Sequence, residues 1–227
     1  MSKIVAIANV AGGTGKTTTA HALAVACVEY GKKVLLLDLD VSTSLTFQLG
    51  LENERLTLID FLFGSTINES QITTVAERFD FIPSDSRISS LVESESFGNF
   101  VDSLPKEFDV VLIDTPSTID PRLVMAIEIA DLTLIPVAAN VHSIRGANQV
   151  SKIAQNKSTM GFKIEIGNSG DIWDETISYL DATIPNWELV GESLNHTSSV
   201  ITQSNRSEIA SAYRELAYSL LEKLELI

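Results

Sequence analysis

The run Asn9-Val10-Ala11-Gly12-Gly13-Thr14-Gly15-Lys16-Thr17-Thr18 decides how this chain is read. It follows directly on an apolar, strand-like stretch, Lys3–Ala8. It opens into a helical pattern over Thr17–Tyr30, with apolar residues at Ala20, Leu23, Ala24, Cys27 and Val28 and a stop at Gly31. A glycine-rich turn between a strand and a helix amino terminus is suited to holding phosphate. Gly12, Gly13 and Gly15 let the backbone approach an anion closely, while the loop amides and the helix dipole aim positive charge at it. Lys16 adds a full charge near the terminal phosphates, the Thr17 hydroxyl is placed to ligate Mg²⁺, and Thr14 and Thr18 complete the nucleotide-binding set. Val10 stands where the common form of this motif has its first glycine.

Outward from the loop, short apolar runs alternate with helical patterns. Lys33–Leu37 reads as a buried strand delivering Asp38 and Asp40 to its carboxyl end, and Phe79–Pro83, Asp109–Ile113 and Leu132–Val137 read as three more strands. Helical spacing falls between them at 86–103 and 120–130. That order predicts an α/β fold, a mostly parallel twisted sheet with helices on both faces. Further on, Ile144–Lys157 reads as a helix, Phe162–Gly167 as a half-exposed strand, Trp187–Leu194 as a final strand and Ile209–Leu224 as an amphipathic helix. Nothing resembling a linker or repeat interrupts residues 1–227, which are expected to form one domain.

Two acidic elements complete the expected chemistry. Val110-Val111-Leu112-Ile113 is a central strand delivering Asp114 to the same sheet edge as the loop, where a carboxylate can hold the water shell of Mg²⁺. Asp38 and Asp40 end the neighbouring strand: one supports the metal shell and the other polarises the attacking water. The metal set is thus Thr17, Asp38 and Asp114, and the catalytic set Lys16, Asp38 and Asp40. His21, His142 and His196 are scattered and form no metal constellation, and Trp173 and Trp187 read as packing residues.

Bulk properties limit the partners. The net charge is −14, the reverse of a strong nucleic-acid footprint. A single cysteine, Cys27, excludes an internal disulfide and reads as core filler. No apolar run is long enough for a bilayer and no signal-peptide pattern opens the chain, so a cytoplasmic location is expected.

Together, the loop, the Lys32–Asp40 stretch with Ser44–Gly50 after it, the V-L-I-D-T-P segment at 111–116 and the closing helix with Tyr213-Arg214-Glu215-Leu216-Ala217 resemble the ParA/MinD family of deviant P-loop ATPases. The resemblance implies an ATP-dependent sandwich dimer binding ATP and Mg²⁺. It also implies slow hydrolysis stimulated by a ParB-like or other adaptor protein, and positioning of cargo such as a plasmid, chromosome or carboxysome-type microcompartment. The family's usual K-G-G-x-G-K-T carries a first lysine that reaches across the dimer; Ala11 occupies that place here. The pattern is similar to carboxysome-positioning relatives in which a later lysine substitutes. Lys152 is the candidate, on a polar helical face with Arg145, Asn148 and Asn156, opposite Ala147, Val150 and Ala154. Relatives often place an asparagine near the adenine, which makes Asn168 a nucleotide-binding candidate.

ParA-like relatives also bind nucleoid DNA non-specifically, which here suggests weak, ATP-dependent, salt-sensitive contact through some of Lys152, Lys157, Lys163, Arg206, Arg214 and Lys223. The closing helix lacks the cationic face of a membrane-binding MinD-like tail, so no membrane contact is expected. Rival readings are a binding switch with negligible turnover, a MinD-like division-site regulator and an ATP-dependent ligase of the biotin or cobyric-acid type. Cys27 alone rules out a nitrogenase-type reductase, which needs two cysteines for a shared cluster.

Overall fold

A computed structural model describes residues 2–90, 94–105, 107–165, 173–186 and 197–227, with backbone alone for 94–96. Its centre is an eight-stranded sheet in the order β3-β4-β2-β5-β1-β6-β7-β8. The strands are β1 (Lys3–Ile7), β2 (Val34–Asp38), β3 (Thr73–Thr74), β4 (Asp80–Ile82), β5 (Val110–Asp114), β6 (Leu132–Ala138), β7 (Thr159–Ile164) and β8 (Tyr179–Ile184). All pair in parallel except β3, which runs antiparallel to β4 at one edge. The α/β reading therefore holds.

Strand alternation divides the core in two. Val5 and Ile7, Val34 and Leu36, Val110 and Leu112 face one side, under α1 (Lys16–Glu29) and the closing helix (Glu208–Lys223). Ala6, Leu35, Leu37, Val111 and Ile113 face the other. There they meet α3 (Leu58–Leu62), α4 (Ser94–Asp102) and α5 (Pro121–Ile129), and α6 (Val141–Ala154) joins them beneath β6. Each central strand is covered on both faces, which is why its sequence is continuously apolar. The remaining helices are α2 (Ser44–Gln48) and α7 (Val200–Gln203), and the closing helix is α8.

Several boundaries move. The 86–103 pattern resolves into a 3₁₀ turn, Ser86–Ser90, and the separate α4. In the first piece Arg87 is committed to Asp60 and Asp85 instead of continuing an α-helix. α6 spans Val141–Ala154 instead of 144–157 because Asn140 caps it, accepting from the Ser143 amide at 2.9 Å, and because Gln155 turns left-handed at φ 48°. Asn156 therefore lies beyond the helix and off the polar face predicted for it. β7 begins at Thr159, three residues before the predicted start. The predicted last strand, Trp187–Leu194, lies outside the described residues. An unpredicted one, β8, alternates buried Leu180, Ala182 and Ile184 with outward Asp181 and Thr183, a period-two signal that was legible.

α8 buries Ile209, Ala212, Tyr213, Leu216, Ala217, Leu220 and Leu221 in the core, so its apolar stripe is a packing face. Cys27 is fully buried, and burial pushes its thiol up to about 12. Trp173 packs edge-on against Tyr179, with the Lys163 ammonium 5.0 Å from its ring centre. Among the described residues no helix is long and apolar enough to cross a membrane.

His21, which the sequence left without a role, is buried on α1 with Nε2 2.5 Å from Glu77 Oε2. Glu77 also accepts from the Ser199 amide at 2.9 Å and from the Thr202 hydroxyl, tying the β3–β4 turn to α1 and α7. Burial works against the Glu77 charge, but His21 and these donors outweigh it and hold the carboxyl below its ordinary value. The stabilisation is thus present at neutral pH and is lost as pH falls through that lowered value. Glu77→Ala leaves two buried partners, His21 and the Ser199 amide, unsatisfied and is expected to cost about 3 kcal/mol, lowering Tm by about 6–12 °C in a thermal melt at pH 7. The same comparison at pH 3 should show a much smaller difference.

Candidate functional site

β1 and β5 lie side by side in register, Ile7 opposite Asp114, and β2 flanks β5 with Asp38 opposite Asp114. This ordering delivers the glycine-rich loop and both strand-end aspartates to one sheet edge. Gly13 and Gly15 adopt φ of 71° and 77°, left-handed values that a side chain resists, and Gly15 is the residue from which α1 starts. Gly12 and Gly13 are exposed at the loop tip, Thr14 is buried with its hydroxyl donating to the Ala11 carbonyl at 3.2 Å, and Thr18 is half-buried on the first turn of α1.

Lys16 is 6% exposed. Its ammonium donates to Ser117 Oγ at 2.6 Å and to the Ala11 carbonyl at 3.4 Å. Burial pulls its pKa down, while the charges of Asp114 and Asp40 pull it back up. Thr17 Oγ1 donates to Asp114 Oδ2 at 2.6 Å. Asp114 is buried, and burial pushes its carboxyl up to about 7 against the pull of Thr17 and Lys16. Asp38 is wholly buried, and burial followed by repulsion from Asp114 raises its pKa well above the carboxylate range. Its two oxygens accept from the amides of Asp40, 2.9 Å, and Leu45, 3.2 Å. Asp40 is half-buried, and its Oδ1 accepts from the Ser42 amide at 2.9 Å.

Lys16, Thr17, Asp38, Asp40 and Asp114 thus gather in one place, as the sequence predicts. Their donor set suits Mg²⁺: a hydroxyl and carboxylates are hard oxygen ligands, and Asp114 Oδ1 is buried without a hydrogen-bond partner. Among the described residues no three carboxylate, imidazole or thiol groups converge into an all-protein cage. Mg²⁺ seldom uses one, keeping waters and phosphate oxygens instead.

Asn168 is outside the described residues. Lys152 is exposed in the last turn of α6, about 16 Å along the helix axis from Val141, where α6 leaves the sheet edge. Arg145, on the same outward face, is about 10 Å nearer that edge. Ala11 is 2% exposed and lies against Gly146 of α6.

The sequence reading missed Ser117, Asn9 and an apolar rim. Val41 and Phe47 follow β2, Ile119 follows β5 and Val141 opens α6 after β6; their exposures run from 41% to 65%. All four sit on segments leaving the carboxyl ends of strands, around the phosphate loop. Single exposed apolar residues are routine, whereas four on three segments leaving one sheet edge make a candidate contact surface. Their convergence is set by sheet order, which the linear pattern does not display.

Comparison with known proteins matches the AAA_31 family model, an AAA domain, over residues 2–166. A putative septum site-determining protein MinD from Emiliania huxleyi is 31% identical over 217 residues, covering 92% of this chain and 79% of that protein. The chain belongs to the ParA/MinD family of P-loop ATPases. A MinD from Pyrococcus horikoshii solved with Mg-ADP superposes with a TM-score of 0.82 at 26% identity, covering 99% of this chain and 98% of that one. A putative plasmid partition protein from Borrelia burgdorferi bound to AMPPNP gives a TM-score of 0.84 at 21% identity, covering 98% and 100%, a likeness of fold.

Proposed function

We propose that this protein is a Mg-ATP-dependent ATPase that dimerises over its nucleotide and positions cargo, with an adaptor stimulating a slow basal hydrolysis. The observation that carries the proposal is the Lys16–Thr17–Asp114 cluster, with its unpartnered Asp114 oxygen, set inside the apolar rim of Val41, Phe47, Ile119 and Val141. Such a layout supports reading one sheet edge as both a phosphate site and a surface for protein contact. Bound Mg²⁺ supplies neutralisation of phosphate charge there. Lys16 would bind the terminal phosphates, Thr17 and Asp114 would hold the metal shell with support from Asp38, and Asp40, less deeply buried, would orient the attacking water. The chain's other family members include MinD proteins. The apolar stripe of α8 is buried in the core, so that stripe is a packing face and not itself a membrane-binding one.

DNA contact falls to fewer residues than the sequence suggests. Arg214 is committed to Glu29 and Asn205, and Lys163 to Trp173 and Tyr179. Lys152, Lys157, Arg206 and Lys223 remain exposed, and weak binding through them should fall steeply with salt. We assign the cation missing at Ala11 to the outward face of α6. Neither Lys152 nor Arg145 makes an ion pair among the described residues.

Sedimentation of wild-type protein with Mg-ATP, Mg-ADP and no nucleotide tests the whole reading. Dimer is expected with ATP alone, and equal monomer in all three would overturn it. Lys152→Ala should weaken the ATP dimer at least about fivefold, roughly 1 kcal/mol. An unchanged dimer would remove Lys152 and leave Arg145, the cation nearer the nucleotide edge, as the residue to replace. Single-turnover hydrolysis with and without an adaptor separates a true ATPase from a switch with negligible turnover.

A further inference from the structure

Asn9 immediately precedes the phosphate loop and is wholly buried, although nothing in the nucleotide chemistry requires it. β1 and β6 run in parallel register as far as Ile7 and Leu134, and the Ala8 amide extends that ladder to the Leu134 carbonyl. The next acceptor along β6 on this side is the Pro136 carbonyl, and the main chain has already begun to leave the sheet. The Asn9 side-chain amide takes that place, donating to Pro136 O at 2.8 Å. The same nitrogen reaches the Ser143 carbonyl on α6 at 3.2 Å. Its oxygen accepts from the Ala11 amide at 2.8 Å, which bends the chain into the loop. Ala11 in turn presents the carbonyl that receives the Thr14 hydroxyl and the Lys16 ammonium.

α6 comes this close because residue 146 is glycine. A Cβ there would fall 2.1 Å from Asn9 Oδ1 and 2.7 Å from the Ala11 nitrogen, both inside hard contact. Ser143 is fixed as well, since its Oγ accepts from the Ala138 amide at 2.9 Å and its own amide is held by Asn140. One buried side chain therefore joins the last rung of the sheet, the first turns of α6 and the entrance of the phosphate loop.

We propose that Asn9 is a positioning residue for the phosphate loop, and that the Asn9–Ser143–Gly146 junction couples the placement of α6 to the affinity for nucleotide phosphates. Asn9 acts through the Ala11 carbonyl and Lys16 and needs no contact with the nucleotide. This deepens the nucleotide-binding reading and rests on it. The outward face of the same helix carries His142, Arg145, Gln149 and Lys152, so a protein seated there would act on the loop through this junction.

The test is titration calorimetry of the full chain with Mg-ADP, paired with thermal melts of the nucleotide-free protein. Wild-type binding comes first, and its absence would overturn the nucleotide reading and the coupling together. Given wild-type binding, Asn9→Ala is expected to weaken Mg-ADP at least tenfold. Asn9→Ser, which keeps an acceptor for the Ala11 amide, should recover part of that loss. Gly146→Ala, a change in a residue remote from the phosphates, should weaken binding comparably, and Asn9→Ala with Gly146→Ala should fall short of the product of the single effects. If a single variant fails to fold, Asn9→Ser still reports on the loop. Mg-ADP affinity within twofold of wild type in folded Asn9→Ala and Gly146→Ala would overturn the proposal while leaving the nucleotide reading intact. A loss in proportion to lowered Tm, with no recovery in Asn9→Ser, would overturn it equally, leaving Asn9 a structural residue only.

Discussion

Lys16→Ala should remove hydrolysis altogether at ordinary ATP concentrations, with a fall of at least about 10²–10³-fold in turnover at saturation. The ammonium is buried and already aimed by Ser117 and the Ala11 carbonyl, so little reorganisation precedes its use. A preorganised charge in a site of low dielectric is worth far more than the same charge in water. Removing it also lifts an unfavourable burial, because Lys16 is held among groups that only partly offset its desolvation. The nucleotide-free variant is therefore expected to melt no lower than wild type while losing activity, a split that a misfolding lesion would not give. Phosphate release from ATP and a melt on the same preparation check both halves.

Asp114→Asn carries the second large effect, and its sign depends on whether metal is present. With Mg-ATP the variant loses a carboxylate from the metal shell, and Mg²⁺ affinity should drop about 10–100-fold. Without metal the expectation reverses. The Asp114 carboxyl is pushed up to about 7 by burial, so the folded protein holds a proton there that the unfolded chain has released above its ordinary value of 3.8. A raised carboxyl makes the fold lose stability as pH rises through the window from about 4 to 7. A neutral amide in place of that carboxyl carries no such penalty. In EDTA at pH 8, Asp114→Asn should melt several degrees above wild type, and the gap should narrow as pH falls and close only below about pH 4. Asp38 has the same direction of shift and stays in place, so the slope lessens without disappearing. A variant melting below wild type at pH 8 would show that Asp114 is tied down by contacts rather than strained by burial.

How much of this was legible in the sequence follows from what each residue's role depends on. The loop, Asp38, Asp40 and Asp114 can be found because each lies directly after an apolar strand, and such a strand announces its own carboxyl end. β8 carries an alternation that is local and therefore readable. Asn9 stands inside the loop motif, yet nothing local gives it a task. Its partners Pro136, Ser143 and Gly146 lie more than 120 residues away, and no local pattern shows which strand will lie beside β1. The same limit hides the His21–Glu77 pair. Gly146 reads as a flaw in a helical pattern, since glycine lowers helix propensity. The nearness of Asn9 and Ala11 explains it.

The apolar rim also bears on how the protein behaves in bulk. Each copy carries a net charge of −14, and at low ionic strength that charge repels like copies over tens of ångströms. The rim offers short-range attraction that this repulsion opposes. Added salt shortens the repulsion while leaving the apolar contact intact, and it weakens any attachment to phosphate polymers. Ionic strength should accordingly move the two surface equilibria in opposite directions, favouring copies on one another and releasing them from DNA. The cell's salt level would then act as a setting on where the protein resides, separate from the nucleotide it holds.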